Sequence, residues 1–269
     1  MPSRHAEPPA PPVSTRSRLR AEVFIVLGLS LGYHAVVSVW LLASRYVSAT
    51  PVGEQTEVIV GSVSDSEVMD AIGQLIRLSF GLVPLALALF LLSTHGVSAR
   101  ARLGLTWGGT SKPRMRTDLG RGALLAAAIG LPGIGLYVLG RALGQNVALD
   151  LSGLPPKWWA ALVLILAALS AALVEEIVGV GYLVTRLREL AWSTPAAIAA
   201  SALLRGTYHL YQGWPMALGN AVMGAVFATY FVRTGRVGPL IAAHAIMDVL
   251  SFVGPEVLPD SWLSGLRLA

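Results

Sequence analysis

Apolar residues fall in long runs parted by short polar segments, the pattern of a chain dissolved in lipid rather than water. A helix needs about 20 mostly apolar residues to cross the hydrocarbon core. Seven stretches meet or approach that length: 22–44, 73–94, 120–140, 158–185, 194–211, 214–232 and 237–253, of which the last three are shorter. Pro84 and Pro132 lie inside the second and third, where membrane helices tolerate kinks. The first run is longer than the about 7–15 residues of a signal-peptide core, so it reads as an uncleaved first span. The pattern predicts an all-α, polytopic membrane domain over residues 21–253. Residues 1–20, rich in proline and arginine, are expected to be a disordered tail, and 254–269 a short C-terminal tail. There is no repeat of fixed period and no second domain.

Composition agrees. Charged residues make up 13% of the chain and hydrophobic residues 54%, whereas a soluble domain carries about 25% charge. The net charge of +5 is spread over the ends of apolar runs, so it points to membrane lipid as the contact partner and not to nucleic acid. Basic residues gather in alternate loops: Arg16, Arg18 and Arg20 before the first span, Arg100, Arg102, Lys112, Arg114 and Arg116 after the second, Arg186 and Arg188 after the fourth, Arg233 and Arg236 after the sixth. The loop after the first span holds Glu54, Glu57, Asp65, Glu67 and Asp70. The positive-inside rule then places the N-terminus in the cytoplasm and the C-terminus outside. No cysteine is present, which excludes disulfides, thiolate chemistry and cysteine-ligated zinc.

Ionisable residues are rare inside spans, where each costs about 2.5–3.5 kcal/mol on insertion scales, and they are functional by default. The fourth span holds Glu175 and Glu176, the fifth Arg205 and His209, the seventh His244 and Asp248, and the sixth adds Asn220. Arg205 and His209 are four apart, as are His244 and Asp248, so each pair shares a helix face. Glu175 and Glu176 are adjacent and, at about 100° per α-helical residue, cannot point the same way. One faces a cavity while the other pairs with a basic group. A carboxylate beside an imidazole can hold and deprotonate a water, and a second imidazole with its partner can stabilise an oxyanion. That set suits amide hydrolysis by water without a covalent intermediate. Ser170 and Ser201 have no base at a matching spacing. A Glu/His/His set could also bind a divalent cation, although the H-E-x-x-H pattern is absent.

The ordered residues resemble the CPBP intramembrane protease family, also called ABI, which includes the type II CAAX prenyl endopeptidases and bacteriocin-processing or immunity proteins. Its motifs are E-E-x-x-x-R, F-x-x-x-H and H-x-x-x-N or H-x-x-x-D. Glu175-Glu176 match the first, His209 the second, and His244 with Asp248 the third, within about residues 115–253. The resemblance implies an intramembrane endopeptidase with its site on the C-terminal four helices, in a bacterial plasma membrane. Its substrate would be a membrane-embedded or lipid-linked protein or peptide. By that resemblance Glu175 and His209 activate the attacking water, His244 and Asp248 form the oxyanion side, and Glu176 supports them. The family has been described both as metalloproteases and as metal-independent glutamate proteases. A divalent metal such as zinc on Glu175, His209 and His244 therefore stays open.

Two positions depart from the motifs. Val180 stands where the first motif has arginine, and Arg205 where the second has phenylalanine. The paired change suggests that Arg205 replaces the missing guanidinium in space, reaching across to Glu176 or Glu175. Gly179 and Gly181 flank Val180 and would admit a close neighbour. Two competing readings are a non-catalytic membrane protein of the same fold, an immunity or escort factor, and a small proton-coupled transporter. Against the latter, no inverted repeat is visible.

Overall fold

The computed structural model describes residues 13–93, 97–105, 112–150, 153–154 and 158–257. Residues 1–12 and 258–269, the outer parts of both expected tails, lie outside the described residues. The chain is predominantly helical. Helix α1 (Val13–Gly28) starts within the segment expected to be a disordered tail, because the apolar second half of that helix carries its polar first half into continuous helix.

The first apolar run is broken. Helix α1 and α2 (Leu31–Tyr46) meet at a 53° bend. A Gly28/Ser30 pair sits at the break, and the Ser30 hydroxyl donates to the Val26 carbonyl at 2.6 Å. Helices α3 (Glu67–Gly81) and α4 (Val83–Leu92) form the next span, interrupted at Leu82 just before Pro84. A short α5 (Ala99–Arg102) leads to the long α6 (Lys112–Ala142), which carries Lys112, Arg114 and Arg116 on its first turns rather than in a loop.

Helices α7 (Ala160–Val174) and α8 (Leu183–Glu189) are joined without a break by a π-helical segment, Glu175–Tyr182. Helices α9 (Thr194–Tyr208), α10 (Trp214–Thr234) and α11 (Gly238–Val257) complete the molecule. Ser193 caps α9 by accepting from the Ala196 amide, and Gly235 ends α10 in the left-handed conformation.

Among the described helices, four are long and apolar enough to cross a membrane, or five if the bent α1–α2 pair is one span. That is fewer than the seven stretches expected. Helix α9, at 15 residues, and the apolar part of α11, Gly238–Val253, are too short to qualify. The hydropathic, mostly helical architecture makes this an integral membrane protein. The Ala160–Glu189 span is the central one: 39% of its apolar window is buried inside the protein, against 11% for Glu67–Leu92 and for Met115–Ala142. Around it, α11 packs on α6 and α7, α10 on α9, and α2 on α9.

A small parallel sheet was not foreseen. Strand β1 (Thr56–Val58) pairs with β2 (Ala148–Asp150) in the register Thr56 to Ala148. Two arginines pin it at the helix ends: Arg45 pairs with Glu57, and Arg141 donates to the carbonyls of Gly53 at 2.5 Å and Asn146 at 2.9 Å. The Val147 amide in turn donates to the Gln212 carbonyl at 3.2 Å. The sheet is thereby stitched to the chain just beyond His209. Asp70, read as a loop residue, lies in α3 and folds the preceding loop back by accepting from the Val63 amide and the Ser62 hydroxyl.

Candidate active site

The two glutamates stand at the start of the π-helical segment. Its i→i+5 bonding widens the turn, so adjacent residues diverge by less than the about 100° of an α-helix. Both carboxylates reach Arg205 and His244, yet the expected division is present: Glu176 is the one paired with a basic group inside the protein, and Glu175 keeps an open side. They still differ in burial. The Glu176 side chain is fully enclosed, while that of Glu175 is 15% exposed.

Arg205 comes up from the last turn of α9. One guanidinium nitrogen, Nη2, donates to Glu176 Oε1, and the other, Nη1, lies 3.5 Å from Glu175 Oε2. The guanidinium also rests over the Phe227 ring of α10, 5.6 Å from its centroid. The cross-helix pairing expected of Arg205 is present, to both glutamates. Val180 is fully buried in the apolar core and holds no charge there. Its neighbours Gly179 and Gly181 admit side chains rather than a helix backbone: a Cβ would stand 2.9 Å from Leu31 Cδ1 and 2.5 Å from Leu103 Cδ2, respectively.

His244 reaches in from α11. Its Nδ1 lies 2.7 Å from Glu176 Oε1, and its Nε2 lies 3.3 Å from Asp248 Oδ2 and 3.9 Å from Glu175 Oε2. The four-residue spacing of His244 and Asp248 therefore does place them together. His209 is the first residue past α9, with Nε2 3.7 Å from Glu175 Oε2. Its ring lies between those of Tyr208 and Tyr211, at centroid distances of 4.8 and 6.2 Å. Among the described residues, both His209 nitrogens, like Glu176 Oε2, are buried without a hydrogen-bond partner.

Asn220 is not drawn into the cluster: its amide donates to the Met216 carbonyl one turn back in α10, at 3.0 Å. Ser201 is likewise committed elsewhere, donating to the Gly179 carbonyl at 2.7 Å. One close contact was missed from the sequence. The buried Tyr208 hydroxyl donates to Glu175 Oε2 at 2.7 Å. Tyrosine is common in membrane helices, and only its place beside His209 could have drawn notice.

Among the described residues, no three His, Asp or Glu side chains are arranged to hold a metal ion. The set Glu175, His209 and His244 does not fit one as it stands. A guanidinium nitrogen already occupies the space 3.5 Å from the Glu175 oxygen that both imidazoles face, supplying the positive charge a divalent cation would bring.

Residues 157–250 match the family described as type II CAAX prenyl endopeptidase Rce1-like. The matched stretch begins just before α7, later than the expected 115, and contains every residue of the cluster. The chain is thus related over this stretch to the CPBP and CAAX prenyl protease family. No curated protein and no solved structure matches the chain.

Proposed function

We propose that this protein is an intramembrane endopeptidase of the CAAX-protease type. The observation that carries the reading is the convergence of His209 and His244, from two separate elements, on the one partly exposed carboxylate, Glu175 of a third. Such a convergence of charge in lipid is expensive unless used.

In this reading Glu175, flanked by His209, takes a proton from a water whose oxygen bonds to the scissile carbonyl carbon. The negative charge that forms on the carbonyl oxygen faces His244, which Asp248 orients. As the C–N bond breaks, the proton passes from Glu175 to the leaving amine, and the carboxylate is restored. The unpartnered nitrogens of His209 are where a water or a peptide carbonyl finds its hydrogen bonds. Glu176 and Arg205 form the fixed charge pair behind the site.

Substrates would be membrane-embedded or lipid-linked proteins or peptides. In this reading the N-terminus lies in the cytoplasm of a bacterial cell, on the side of the basic loops, as the positive-inside rule supports, with α9 and α11 as short additional crossings. The test compares protein termini in membranes of cells lacking the protein, complemented with wild type or Glu175→Gln at matched levels. Termini that appear with wild type and vanish with the variant support the reading. Identical termini, with the variant still rescuing any cellular phenotype, would make the cluster structural and favour the immunity or escort role.

A further inference from the structure

The four groups around Glu175 all address one oxygen. Tyr208, Arg205, His209 and His244 stand 2.7, 3.5, 3.7 and 3.9 Å from Oε2. Of these, only the Tyr208 hydroxyl is at the distance of a normal O–H···O hydrogen bond. Among the described residues nothing hydrogen-bonds Oε1, and the side chain keeps its 15% exposure. The two oxygens are therefore unlike: one is anchored, the other is presented.

The anchor is well built. Tyr208 is 5% exposed and sits at the last position of α9, so its ring cannot swing into lipid. Glu175 is its hydrogen-bond acceptor, and without Tyr208 the carboxylate would keep only the longer ion pair to Arg205 against rotation about its last side-chain bond. The same helix end places His209 next in sequence. One short stretch thus sets both the carboxylate and the imidazole.

We infer that Tyr208 is a positioning residue, which fixes Glu175 through Oε2 so that Oε1 is the atom that takes the proton. The inference rests on the protease reading above. It assigns the two oxygens different work, and it makes a tyrosine at a variable position of the second motif necessary for full turnover.

The test uses the full-length protein in membranes and a substrate found by the terminus comparison. Tyr208→Phe removes only the hydroxyl. Tyr182→Phe is the control: it removes another enclosed tyrosine's hydroxyl, which donates to Glu22 at 3.0 Å away from the cluster. Loss of a hydrogen bond to a charged group corresponds to about a 10- to 100-fold effect. Tyr208→Phe is expected to lower kcat by about that factor, with KM nearly unchanged. Tyr182→Phe is expected to lower thermal stability and spare kcat. A Tyr208→Phe protein with wild-type kcat, alongside an inactive Glu175→Gln protein, overturns the inference and leaves the protease reading standing. Cleavage that survives in Glu175→Gln overturns both. If Tyr208→Phe does not accumulate in the membrane, 3-fluorotyrosine at position 208 keeps the ring and alters the donor. A changed kcat then supports the inference, and an unchanged one overturns it.

Discussion

Arg205 is the residue on which the cluster's electrostatics turn. Two adjacent carboxylates in lipid would repel each other and neither would stay ionised cheaply. One planar guanidinium with nitrogens on both makes the arrangement tenable. Breaking a buried ion pair from one side costs about 3–5 kcal/mol. Arg205→Phe is therefore expected to lower stability by about that amount in detergent thermal unfolding. Adding Val180→Arg to Arg205→Phe should recover part of the loss, since it returns a guanidinium to the neighbouring helix. A double variant no more stable than the single one would end the idea of exchange between these positions. Arg205→Lys should also destabilise, because a single ammonium cannot span both carboxylates.

Between elements, close approach governs how α9 holds Arg205, Tyr208 and His209 in place. At Gly206 an added Cβ would meet the Ala217 carbonyl oxygen and the Ala221 Cβ, each at 2.9 Å. Both belong to α10, and a backbone oxygen cannot step aside. At Gly181 the close contact of an added Cβ is with the tip of the Leu103 side chain, and the Glu176 carbonyl oxygen stands at an ordinary 3.6 Å. Gly206→Ala is thus expected to destabilise by about 1–3 kcal/mol, as overpacking does, and Gly181→Ala by clearly less. Thermal unfolding of the two variants decides it, and equal losses would mean that α9 and α10 can slide apart. The π-helical segment is the other element-level device. By widening the turn at Glu175 it lets two successive residues serve one site, and π-bulges are frequent at functional sites.

Across the whole molecule, basic residues collect at one end of the bundle and acidic ones near the sheet at the other. Part-buried ion pairs brace the basic end. Arg186 joins Glu22 of α1 at 2.7 Å and Glu189 at 2.6 Å, and Arg236 holds Asp118 of α6 with two hydrogen bonds at 3.0 and 2.6 Å. The topology proposed from this charge pattern has a direct check, because the chain lacks cysteine and gives no labelling background. A membrane-impermeant maleimide should label Ser66→Cys in intact cells and Arg100→Cys only after the membrane is opened. The reverse pattern would invert the orientation.

The sequence by itself determined the solvent and the helical class, and it singled out most of the residues that the structure brings together around Glu175. Long apolar runs and misplaced charges are local signals, and intramembrane charge is expensive enough to be visible without a fold. The four-residue spacing of His244 and Asp248 and the paired departures at Val180 and Arg205 were legible for the same reason. What only the tertiary structure decided depends on partners distant in sequence. The first span broke at a Gly/Ser pair that composition does not distinguish from an intact run. The β1–β2 pairing joins strands some 90 residues apart, in segments too short to show a period. The π-helical turn at Glu175 and Glu176, which lets both carboxylates reach Arg205, has no signal in the local sequence. Asn220 shared the intramembrane polarity of the others, and only its hydrogen bond within α10 set it apart. Tyr208 carried no signal beyond its place beside His209 until folding brought its hydroxyl, 33 residues along the chain, to the Glu175 carboxylate.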